Sequence, residues 1–163
     1  VRHAAEREVA RRHALDRKQH WHRLIEERGP ATLRALVDEM AAALDDYRGT
    51  APASDAAVAL ERLPRGGFSV SRSVAPRAIL QGRPDYQLET VNCNWAHVGD
   101  NKGEMVEVPF NLHFTVDESD EVGLRYRSRA FQDVAEIAEF LLAPLLFPEL
   151  RRGLAQPVVA EHR

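Results

Sequence analysis

Three of the chain's four asparagines, Asn92, Asn94 and Asn111, fall in stretches whose apolar residues alternate with a period of two, and His113, Arg125 and Arg127 follow the same alternation nearby. Asparagine is a poor strand former because its amide competes for backbone hydrogen bonds, so this concentration is informative. Amides, an imidazole and guanidiniums gathered on one sheet face would offer donors to an anion, a carboxylate, a phosphate or a polar peptide surface. These six residues are the expected binding set. The same polarity also suits the solvated side of a half-buried sheet, which is the plainer account of it.

Other chemistries find less support in the spacing. Arg125, Arg127 and Arg129 sit at alternate positions and on a strand would point the same way, as phosphate contact requires. A dedicated nucleic-acid binder is strongly basic, whereas this chain carries 22 Lys and Arg against 25 Asp and Glu, a net charge of −3. Nucleic acid is therefore the weaker expectation. Cys93 and His97 share a strand face, but four residues of extended chain separate them by roughly 13 Å. An apolar neighbourhood would also leave the thiol inert. His13, Asp16 and His20 share one helix face but are too spread to close a metal site without a partner helix. The sequence has no phosphate-binding Gly-rich loop, no Gly-x-Ser-x-Gly elbow and no His-Glu-x-x-His. No catalytic residue, metal ligand or cofactor is assigned, and the balance leans away from an enzyme.

The elements that would position these groups follow from periodicity. Residues 1–28 lack Gly and Pro and are rich in Ala, Arg, Glu and Leu, which predicts a long helix. Its apolar seam, Ala10, Ala14, Trp21 and Ile25, is thin. Pairs such as Glu8 with Arg12 and Arg23 with Glu27 would offset part of its charge. Gly29-Pro30 reads as a stop and a new start, giving a second helix over about residues 30–47 with a wide stripe from Leu33 to Tyr47. A linker occupies residues 50–54. Residues 55–63 fit a short helix or an alternating strand, and helix is favoured.

From Phe68 the period changes to two. Phe68, Val70 and Val74 mark one strand and residues 78–80 a brief edge strand; longer strands are expected over residues 86–98, 105–116 and 122–129. Facing the apolar sides together places Val91, Cys93 and Trp95 opposite Leu112, Phe110 and Val108. Likewise Val116, Phe114 and Leu112 face Val122, Leu124 and Tyr126. The polar side then has Asn111 opposite Arg127 and His113 opposite Arg125. A last helix, with Ser128 as its expected cap, carries Phe131, Val134, Ile137, Ala138, Leu141 and Leu142 up to Pro144.

The fold class expected is α+β: an N-terminal helical pair (residues 1–49), an antiparallel meander of four to five strands under a covering C-terminal helix (50–150), and a loosely held tail (151–163). Charge is divided unevenly. Residues 1–28 hold eight basic against five acidic side chains, or +3, leaving 14 against 20, or −6, for the rest. The longest apolar run is eight residues and contains Pro144, too short for a membrane-spanning helix. One cysteine and 20 arginines among the 22 basic residues point to a cytoplasmic protein from a GC-rich bacterium. The expected function is protein association, by self-assembly or as an accessory subunit, through the N-terminal helix and the sheet surface. The alternative is a ligand- or nucleic-acid-binding module using the polar sheet face.

Overall fold

A computed structural model describes residues 1–50, 57–99 and 103–147. One helix, α1 (Arg2–Thr50), precedes seven strands: β1 (Val58–Arg62), β2 (Phe68–Arg72), β3 (Ala78–Asp85), β4 (Thr90–Val98), β5 (Met105–Val116), β6 (Val122–Tyr126) and β7 (Arg129–Ala130). A second helix, α2 (Val134–Leu146), follows. The strands pair antiparallel in chain order, an open meander. The architecture is mixed α and β, with the long helix, the antiparallel sheet and the C-terminal helix in the expected sequence. The helix and strand counts differ from expectation.

The expected helical pair is a single 49-residue helix that passes through Gly29 and Pro30 without ending. Packing overrides the local stop signal. Leu24, Ile25, Gly29, Leu33, Leu36, Val37, Met40 and Leu44 are all buried, so the chain is held on both sides of the proline. Gly29 serves close approach and not a turn: a Cβ there would lie 2.9 Å from Cε1 of Tyr86. Thr32 Oγ1 donates to the Arg28 carbonyl at 3.2 Å, pairing an acceptor beside the break in the backbone ladder.

The sheet has more strands than expected because one unforeseen segment joins it and one expected strand divides in two. Residues 58–62, for which helix was favoured, form β1, whose Val58 is buried against the core. The expected brief edge strand is the eight-residue β3, internal to the sheet between β2 and β4. The strand expected over 122–129 divides at Arg127, whose φ of 55° turns the chain so that Arg129 pairs back on Tyr126. Similarly, the strand expected from residue 86 begins at Thr90, because Asp85 caps a turn by accepting from the backbone N–H groups of Gln87 and Leu88.

The central register agrees with the burial pattern. Val91, Cys93 and Trp95 are partners of Leu112, Phe110 and Val108, while Phe114 and Val116 are partners of Leu124 and Val122. A slip of one residue would expose every member of this set. The β5–β6 ladder stops at His113 and Arg125, so neither Leu112 with Tyr126 nor Asn111 with Arg127 belongs to it.

One sheet face and both helices enclose the core. Leu33, Leu36, Met40 and Leu44 of α1, Phe68, Leu80, Trp95, Leu112 and Leu124 of the sheet, and Ile137, Leu141 and Leu145 of α2 belong to a single buried cluster. Each such large apolar side chain contributes roughly 1.5–3 kcal/mol on burial. The cap of α2 is Asp133, not Ser128: its carboxylate accepts from Glu136 N at 2.9 Å, and Glu136 reaches back to Gln132 N at 2.9 Å. The tail at 151–163 and most of the expected linker lie outside the described residues.

Candidate functional site

The side of the sheet opposite the core presents the polar face, and no described element covers it. Asn92 and Asn111 are Cα partners across β4 and β5, both exposed, with Arg83 beside Asn92 on β3. In the next row Asp85, Thr90, His113 and Arg125 lie side by side. Asn94 stands across from Pro109, and its amide donates to Glu107 Oε1 at 3.5 Å. Five of the six expected residues thus share one surface.

Arg127 is the exception, because its left-handed backbone takes it out of the strand. Its guanidinium carbon lies 5.3 Å from the Tyr126 ring centroid, and its carbonyl accepts from Nη1 of Arg125. The expected row of three arginines is therefore not formed. Arg129 lies on β7, 3.0 Å from Glu136 Oε1 and over the rings of Phe131 and Phe140. Half-buried His113 has its pKa lowered by desolvation, with the nearby Arg125 charge acting the same way. The shift favours the neutral imidazole at neutral pH, able to donate from one nitrogen and accept at the other.

The second surface is the first half of α1. Every residue from Val1 to Trp21 is exposed, including Val9 at 54%, Leu15 at 48% and Trp21 at 38%. Of the expected seam only Ile25 is buried. At about 1.5 Å per residue the exposed part extends roughly 30 Å. Glu8 pairs with Arg12 at 3.3 Å, as i and i+4.

Where the helix meets the body, two histidines find carboxylates. His20 Nε2 lies 3.1 Å from Asp120 of the β5–β6 turn, and Arg28 donates to the Asp120 carbonyl. His22 lies 2.9 Å from both Glu26 on its own helix and Glu89 of the β3–β4 turn, and its pKa is raised, chiefly by the hydrogen bond to Glu89. These ties join residues 67 and 100 positions apart, a separation that no local pattern reveals. His20 is thus engaged away from His13 and Asp16, and among the described residues no three His, Cys, Asp or Glu converge as a metal site.

Cys93 is buried, and burial pushes its thiol up to about 12. The His97 ring lies beside that of Trp95, with centroids 5.8 Å apart and planes tilted by 33°. Among the described residues no helix is long and apolar enough to cross a membrane. Compared with family models, curated proteins and solved structures, the chain matches none.

Proposed function

We propose that this chain is a non-catalytic protein-association module that self-assembles, with the projecting half of α1 contacting a second copy. The observation that carries this reading is the unbroken exposure of residues 1–21 on a helix whose second half is fixed in the core. An isolated helix of that length is marginal in water. Here the anchored half supplies the nucleus, so an extended surface is presented without the usual ordering cost.

Charge favours another copy as the occupant. The segment 1–28 carries +3 and the remainder −6, so the helix of one copy and the body of the next attract. Val9, Leu15 and Trp21 add apolar contact area to an otherwise charged surface. Sedimentation velocity tests the reading. The full chain is expected to sediment above monomer mass at micromolar concentration, with association weakening as salt is added. A monomer at every concentration contradicts it.

A second reading rests on the adjacency of Asn92, Asn111 and His113 on the uncovered sheet face. In this account the face binds a polar ligand or single-stranded nucleic acid. Replacing the three residues with Ala would then abolish retention of a single-stranded DNA oligonucleotide that the parent chain binds in a strongly salt-dependent way. No retention by the parent chain excludes nucleic acid.

A further inference from the structure

We infer that the notch between the middle of α1 and the β1–β2 connection is a binding site for a small oxyanion attached to an apolar body, such as an aryl phosphate or aryl carboxylate. The notch has a volume of about 560 Å³, and three arginines from separate elements line it: Arg34 of α1, Arg62 at the end of β1, and Arg65 in the turn that follows. Arg62 is neutralised by Asp38, at 2.7 Å. Arg34 and Arg65 are exposed, and no described residue forms an ion pair or hydrogen bond with either, so two guanidiniums of the lining are open to a ligand among the described residues. A guanidinium suits this role because its planar fork matches carboxylate and phosphate oxygens.

The backbone gives a second, independent indication. Arg65 has φ 62° and Gly66 φ 85°, placing two successive residues in the left-handed region. Glycine is at ease there and asparagine is tolerated, but a long side chain costs local energy. The turn nevertheless uses arginine at this place and directs it to the notch lining.

The remaining walls are apolar. Val37, Leu63 and the Tyr86 ring supply them, and Pro30 adds a surface without a backbone donor. Exposed guanidiniums of Arg34 and Arg65 beside buried Val37 fit a ligand with one anionic end. This inference is independent of self-assembly, because the notch lies beyond the projecting part of the helix.

Backbone-amide NMR of the ¹⁵N-labelled full chain, titrated with phenyl phosphate, benzoate and inorganic phosphate, tests it. Saturable shifts are expected at residues 63, 65, 66, 67 and 86 with at least one aryl anion, and tighter binding than for inorganic phosphate. The arm that saturates distinguishes phosphate from carboxylate. Arg34→Gln and Arg65→Asn should each weaken binding about tenfold, the scale of one lost charged hydrogen bond. Asn suits the left-handed backbone, and unchanged spectra elsewhere would report an intact fold. Exposed Arg77→Gln should leave affinity unaltered. Absence of saturable shifts up to about 10 mM, or equal affinity in the parent and both notch variants, would overturn the inference.

Discussion

At His22 two carboxylates meet one imidazole, and the direction of the pH effect follows from that geometry. Its pKa is raised in the folded chain, first by the hydrogen bond to Glu89. The stabilisation is therefore fully present below the unfolded histidine value of about 6.5 and is lost as pH rises through the higher folded value. Glu89→Gln should return the His22 titration, followed by NMR, toward the ordinary value; no change would contradict the assigned cause. His113 has the opposite sign: its lowered pKa costs stability as pH falls from about 6.5 through the folded value. Packing sets a separate test at Gly82, where any Cβ would overlap the fully buried Phe68 ring. Gly82→Ala should destabilise by about 1–3 kcal/mol in denaturant unfolding. Asn92, Asn111 and His113 were identifiable because strand alternation fixes their face, whereas the His22–Glu89 contact joins distant parts of the chain.

Among the elements, α1 shows where local signals yield to packing. Gly-Pro is a strong helix boundary signal, yet the buried residues on both sides hold one helix against one sheet face. Pro30 still withholds the N–H that Glu26 would normally receive. Pro30→Ala should therefore raise stability, by up to about 3 kcal/mol, with the helical circular-dichroism signal preserved. A loss of stability would show that the proline fits a backbone distortion the helix requires. The sheet shows the converse. β4 and β5 were legible from clean alternation, and their register follows burial. β1 was ambiguous because five residues with one buried side chain carry too little period, and Arg127 breaks its strand through a backbone angle that arginine seldom adopts.

For the whole molecule, the near-neutral charge conceals a basic projection on an acidic remainder. Composition made that division visible. How far the body reaches along α1 was not visible: Leu24 and Ile25, near the end of the thin-seamed stretch 1–28, are buried while Ala10, Ala14 and Trp21 are exposed. The structural boundary lies just before the His20 and His22 ties. Removing residues 1–19 should consequently leave the thermal midpoint nearly unchanged, whereas removing 1–28 takes buried side chains and should lower it by several degrees. The most direct measurement of the central claim is the solution mass of the full chain and of residues 20–163, by sedimentation velocity across a concentration series. Self-assembly through the projecting helix predicts association of the full chain and a folded monomer after truncation; equal masses for the two would contradict it.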